Sequence, residues 1–342
     1  MMNNCKKYLW MLVAALSLFC AVACNKEEEE EETKPSMTGT IKFDLPTYIP
    51  INELRQLTAS GITYPEKVDY KWMIKAMYSD TLYGESVIVR FPDSLGTFVV
   101  TSLATADGYY VSTTSKETTT VDTTALIGSL QGLSVASSYF VDPRDKKTYG
   151  YETIGKLDWF TENLAWEGCG APFKSSEIMT HIFGRYYSWN EATGGVSADG
   201  LGAGPQGACP PGWSVPTNAD WVDLATAMND GKELKFHDLW VEIGERASAI
   251  AYFNETKMWE YWPDNLHTND FYWNGLPCGY SLQNNGNFKG IYEYGMWWSA
   301  TEKDASKAYY RYIYMKESSF PASYGAKNDY GMTVRCVRIA SE

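Results

Sequence analysis

An apolar run of only about 12 residues, Tyr8 to Phe19, decides where the rest of the chain must fold. Lys6 and Lys7 precede it, and a bilayer span needs about 20 residues, so the run reads as a secretory signal peptide. Everything beyond it is then expected to fold after export, where cysteines can oxidise and staple a core. The remaining length suits two or three domains. Hydrophobic residues at 44% against 21% charged are enough for real cores, which excludes a globally disordered chain. Aromatics reach 15%, and with 28 Gly they suit short strands and wide loops better than a helical bundle.

Charge narrows the partners. The formal net charge is −13, and a surface this acidic repels a phosphate backbone, which argues against nucleic-acid binding. Three histidines leave little material for a His-based metal site or proton shuttle.

Residues 1–23 read as the signal and 24–36 as a tether. Ala21-Val22-Ala23-Cys24 resembles a bacterial lipobox, with Ala21 where Leu is usual; Cys20 follows the bulky Phe19, so Cys24 is the expected acylated residue. Asn25, Lys26 and the acidic run Glu27 to Glu32 follow, a like-charge block that stays solvated and extended. A Cys followed by Lys and an acidic run resembles the export signal of Bacteroidota lipoproteins flipped to the outer face of the outer membrane. The resemblance implies a lipid-anchored, outward-facing protein of the cell outer membrane, held by buried acyl chains.

Residues 37–135 read as an all-β module. The runs Lys71 to Tyr78, Ser86 to Phe91 and Gly96 to Val100 are β-branched or aromatic. Turn signals at Ser79-Asp80, Tyr83-Gly84 and Pro92-Asp93 separate them. Asp107-Gly108 introduces Tyr109-Tyr110-Val111, and a Thr-rich stretch covers Thr113 to Thr124. The strand spacing predicts a β-sandwich, and Gly96 to Thr101 with the later Asp-Gly resembles the penultimate strands of a PKD or immunoglobulin-like module. No catalytic constellation occurs there, so the module reads as a spacer.

Residues 136–342 have a different texture, richer in Trp, Gly and Pro. Asp142-Pro143-Arg144-Asp145, Ile154-Gly155 with Trp159, and Gly184-Arg185-Tyr186-Tyr187-Ser188-Trp189 come first. Cys209-Pro210-Pro211-Gly212-Trp213 with Asp220-Trp221, Leu276-Pro277-Cys278-Gly279-Tyr280, Trp297-Trp298-Ser299-Ala300-Thr301 and Gly331 to Arg338 follow. In this order the blocks resemble the Fibrobacter succinogenes major paralogous domain of bacterial secreted and surface proteins. Val215 to Trp221 and Gly331 to Val337 further resemble signatures of formylglycine-generating enzymes, which implies an irregular α+β C-type-lectin-like fold. Pro216-Thr217 supplies an extended lead-in and an N-cap, and Trp221, Leu224, Ala225 and Met228 recur at helical spacing, so a helix is expected over Asn218 to Met228. Val334, Cys336 and Val337 suit a central strand, with Thr333 and Arg335 pointing the other way.

With Cys5 and Cys20 lost and Cys24 acylated, Cys169, Cys209, Cys278 and Cys336 remain, with three possible connectivities. The formylglycine-generating resemblance implies Cys209–Cys336, which leaves Cys169 and Cys278, two residues unusual for the family, to pair with each other. Loops of this length would gain roughly 4–5 kcal/mol each from closure on the chain-entropy model.

Catalysis finds no support. The redox Cys pair of formylglycine-generating enzymes has no counterpart, since Ser299 to Thr333 contains no Cys. His181, His237 and His267 each sit without a motif, and no His, Cys and carboxylate set has metal-ligand spacing. Lectin-type calcium motifs are missing, and calcium through loop residues such as Asp264, Asn265 and Asn269 has no supporting pattern. No enzyme, cofactor or metal is therefore expected. Trp159, Trp213, Trp221, Trp297 and Trp298 read as core, whereas Met258 to Asn265 concentrates flat aromatics beside Asp and Asn in a Pro-broken loop. Trp259, Tyr261 and Trp262 are the expected platform for a glycan or other surface ligand, oriented by Asp264 and Asn265, with Phe271 to Asn274 in the same wall. The alternatives are that these rings roof the core, or that the chain is a structural or adhesive accessory or tip subunit of a surface filament.

Overall fold

A computed structural model describes residues 33–75, 81–122, 130–232, 234, 239–259, 266–282 and 286–341. The signal, Cys24, the acidic run, the strand end at 76–78, His237, and Tyr261, Trp262, Asp264 and Asn265 lie outside the described residues. Among the described residues the chain is mostly β, with strand at 41% against helix at 11%, in several small sheets.

The first module is built on a five-stranded sheet in the order Tyr48–Pro50, Ser112–Val121, Gly96–Thr105, Asp69–Lys75, Leu82–Tyr83. The two ten-residue strands form a hairpin turned at Asp107-Gly108, where Gly108 takes a positive φ of 79°. Tyr109 to Val111, expected to extend, sit in and just after that turn: Tyr109 N–H closes on Ala106 O. Two shorter pairs, Thr38–Lys42 with Ser60–Tyr64 and Leu54–Thr58 with Ser86–Arg90, supply the remaining strands. Apolar residues alternating along these strands meet in one core around Trp72, with Ile41, Phe43, Leu57, Val89, Phe91 and Val100. Polar alternates face outward and pair across strands, as in Thr97–Thr119 and Thr101–Ser115.

The second region has a four-stranded antiparallel sheet of Ser138–Val141, Thr148–Ile154, Leu157–Phe160 and Val337–Ile339. Tyr294–Glu302, Lys307–Tyr314 and Ala322–Ala326 form another sheet; Asn287–Lys289, Tyr280–Leu282 and Tyr330–Gly331 form a third. The helix spans Asn218–Met228, as its spacing predicts. Thr217 and Asp220 close a reciprocal capping box at its start, and Trp221, Leu224, Ala225 and Met228 form its buried face. Two aromatic cores flank the terminal segment: one around Tyr149, Phe160, Trp213 and Trp298, the other around Trp159, Trp221, Trp240, Trp273 and Trp297.

That terminal segment departs from expectation. Beyond Gly331 only Val337–Ile339 is regular strand, and residues 331–337 are all buried, so no face of Thr333 or Arg335 reaches solvent. Arg335 is 1% exposed and bonds Asn163 Oδ1, Phe160 O, Trp273 O and Asn274 O. Burial without a carboxylate in contact lowers its pKa to about 9.

The two regions share packing. The Tyr48 ring lies 5.8 Å from Phe173 and 6.1 Å from Phe253, and Ser176 Oγ donates to Tyr48 O. Leu130–Gln131 pairs with Tyr252–Phe253, and Asn274 and Asn269 bond Ser134. Residues 130–134, ahead of the expected boundary at 136, thus pack with the later region.

Candidate functional site

Cys209 and Cys336 form a disulfide with Cα atoms 5.8 Å apart. The second expected bridge is not made: Cys169 and Cys278 are free. Cys278 is buried in a core with Phe183 and Tyr186, and its sulfur accepts from Asn163 Nδ2 at 3.2 Å. Cys169 instead packs against the other core, with its sulfur towards Glu191 O. Each thiol already has its own partner and its own core. Burial pushes the Cys278 thiol up to about 12 and that of Cys169 to about 11, so both are protonated and unreactive near neutrality.

The proposed aromatic platform is overturned at its first residue. Trp259 is fully buried, its indole N–H donates to Gly275 O, and its ring stacks on His267 at 5.1 Å. It roofs the core. Trp273 and Asn274 of the same expected wall are also buried, and Asn269 is bonded to Asn274 and Ser134, not turned towards a loop cation. Tyr272 alone of that wall is exposed, at 49%.

His267 is not solitary. Its Nδ1 lies 2.6 Å from Ser248 Oγ, a spacing that would suit a nucleophile and base. Ser248, however, is fully buried, and its hydroxyl donates to Gly244 O at 2.7 Å, closing the short helix Ile243–Ala247. With that proton committed, Nδ1–H donates to Oγ, and the pair acts as a strut.

Aromatic surface gathers elsewhere. In Lys307–Tyr314, Ala308, Tyr310, Tyr312 and Tyr314 alternate onto one face, while Arg311 and Ile313 turn into the opposite core. Tyr294, opposite Tyr314 in register, stacks on it at 4.5 Å and 15°. Tyr312 lies 6.2 Å from Tyr294 and 6.0 Å from Tyr310. Tyr280 and Tyr330, 5.7 Å apart, continue the row from the neighbouring sheet, and Gly325 fits beneath Tyr330 and Tyr310. All six rings are half-buried: Tyr280, Tyr294, Tyr310, Tyr312 and Tyr330 pack against the core around Trp298, and Tyr314 against the core around Trp159 and Trp221. Burial, with the neighbouring Tyr314 and Glu293, pushes the Tyr294 hydroxyl up to about 12, so that hydroxyl stays neutral and hydrogen-bonding. Alternating tyrosines in Ala308-Tyr309-Tyr310-Arg311-Tyr312-Ile313-Tyr314 were the sequence signal for this face.

A family model of the Fibrobacter succinogenes major domain matches residues 153–338. The chain belongs to that family. No curated protein and no solved structure matches it. The matched span holds the disulfide, the capped helix and the whole tyrosine row, and leaves out the first β module. Within the Fibrobacter succinogenes major domain the recurring blocks serve the fold. Trp189, Trp221, Trp297 and Trp298 are buried, and just upstream of the matched span Arg144 pairs with the buried Asp142 at 2.7 Å while lying 4.0 Å over Trp166. Among the described residues no group of three or more His, Cys, Asp or Glu side chains converges on a cation position, and no helix is long and apolar enough to cross a membrane.

Proposed function

We propose that this chain is an outward-facing outer-membrane lipoprotein, acylated at Cys24, whose Fibrobacter succinogenes major domain is a non-catalytic module that binds carbohydrate. The observation that carries the reading is the row of six half-buried tyrosines, Tyr280, Tyr294, Tyr310, Tyr312, Tyr314 and Tyr330. Sugars offer apolar C–H faces and a rim of hydroxyls, and a neutral ring with a phenolic O–H meets both. Rings locked by mutual packing lose little side-chain freedom on binding, so the surface is pre-organised. Acid-dominated composition suits neutral polysaccharide better than polyanions. The first module, read as an immunoglobulin or PKD-like spacer, holds a C-type-lectin-like head away from the lipid anchor.

A glycan array probed with the chain from Met37 onward, followed by affinity measurements, tests this. Tyr312→Ala is expected to weaken polysaccharide binding about tenfold, the size of one lost ring–sugar contact, with a lowered Tm from the loss of a half-buried ring and a chain still folded at the assay temperature. Equal binding by wild type and variant would sink the reading. For the anchor, Cys24→Ala is expected to release the protein from membranes, and continued partition with membranes after signal cleavage counts against acylation.

The packed junction around Tyr48 favours a second reading, a load-bearing adhesive or tip subunit of a surface filament, since a rigid joint transmits force. Loss of filament assembly in a chain whose tyrosine row is intact would favour that alternative.

A further inference from the structure

Beside the tyrosine row the surface opens into a recess of about 420 Å³, towards the lower end of ligand pockets, which run from roughly 300 to 1,000 Å³. Its wall is Trp189, Asn190, Ser306, Lys327, Asn328 and Asp329. Lys327 is only 8% exposed; its ammonium pairs with Glu302 and lies 4.2 Å from the centroid of the Trp189 ring. Backbone bonds from Trp189 N to Lys327 O and from Lys327 N to Ser306 O hold the three segments of the wall together. Asn190 Nδ2 donates to Asn328 Oδ1 at 2.9 Å, which ties the two amides of the wall together. Asp329 adds an exposed carboxylate. Ser323, Gly325 and Lys327 alternate on one side of the chain, and Gly325 lies against Tyr330 and Tyr310, so the recess ends the tyrosine row.

We propose that this recess holds the terminal neutral sugar of a glycan lying along the tyrosine row, an inference that rests on the carbohydrate reading. The wall carries both donors and acceptors in Asn190, Ser306, Asn328 and Asp329, and a vicinal diol both accepts from N–H groups and donates to carboxylate or amide oxygens. An anionic sugar is disfavoured because Glu302 already neutralises Lys327 and Asp329 adds a further negative charge.

Saturation-transfer NMR on the purified chain distinguishes the two sites. The probes are the methyl glycosides of glucose, galactose and mannose, with glucuronate as the charged comparison and a polysaccharide as reporter for the row. At least one methyl glycoside is expected to bind. Asn328→Ala combined with Asp329→Ala should weaken it about tenfold, the loss of one or two hydrogen bonds. Tyr312→Ala should leave it unchanged while weakening the polysaccharide. Both asparagine and aspartate are exposed, so an unchanged Tm verifies the fold of the double variant. Methyl-glycoside binding unaffected by the double variant overturns the recess, as does tighter binding of glucuronate. Polysaccharide binding without any methyl-glycoside signal overturns the recess and leaves the tyrosine row standing. Failure of every sugar overturns both.

Discussion

His267 stacks on the buried Trp259 ring, and burial with the nearby Lys257 charge lowers its pKa to about 4. Its unfolded value is near 6.5. Between those values the unfolded chain binds the proton and the folded chain does not, so this contribution is complete above about pH 6.5 and lost as pH falls towards about 4. It amounts to about 3 kcal/mol. Acids such as the buried Asp220 and the half-buried Glu162, whose pKa values burial raises, work in the opposite sense, so the readout is the difference from His267→Gln. Urea melts from about pH 7 to 4 should show wild type losing its advantage over that variant. Parallel pH profiles would mean that the imidazole is solvated. Trp259→Ala is expected to cost about 3–5 kcal/mol, the price of emptying a buried indole site, and a Tm within a degree of wild type would return the ring to the surface.

At the scale of elements, local rules account for the helix and hairpins. Thr217 accepts from Asp220 N–H, and its hydroxyl donates to Gly200 O at 2.9 Å. Thr217→Ala therefore removes a cap and a loop contact together and should cost about 1–2 kcal/mol by chemical denaturation. A change below a few tenths would show that the cap is redundant. Gly155, at φ 69° in the turn between Thr148–Ile154 and Leu157–Phe160, lies against Asp223, whose carboxylate accepts from Lys156 N–H at 2.7 Å. A Cβ there meets both strain and that carboxylate, which explains glycine in the Ile154-Gly155 block. The terminal strand was less legible. Its pattern reads as one buried face, but Arg335 is buried too, because carbonyls from residues 160, 273 and 274 converge on its guanidinium.

Across the whole molecule the joint at Tyr48 couples the two regions. Val121 and Tyr48 from the first side meet Phe173, Phe183 and Phe253 from the second. One calorimetric transition is expected for wild type, and Tyr48→Ala should split it by loosening that shared cluster. Two independent transitions in the wild type would show that the joint carries little energy. The Cys209–Cys336 link joins residues 127 apart in sequence, and Cys209→Ala should cost about 2–5 kcal/mol.

What the amino-acid sequence determined by itself was whatever depends on near neighbours. A cap and its helix are set by residues three or four apart, so Thr217, Asp220 and the face Trp221-Leu224-Ala225-Met228 could be read directly. Strands such as Ser86–Arg90 followed from alternation between turn residues, and the ordered blocks marked the family domain. Burial of one tryptophan against another, by contrast, depends on distant partners. Trp259 went inward because Gly275 offers its carbonyl and His267 its face; Cys278 stayed unpaired because Asn163, 115 residues away, holds its sulfur in a core apart from Cys169. The tyrosine row was decided the same way. Tyr310, Tyr312 and Tyr314 alternate visibly, yet only cross-strand register sets Tyr294 against Tyr314, and only the packing of two sheets brings Tyr280 and Tyr330 alongside.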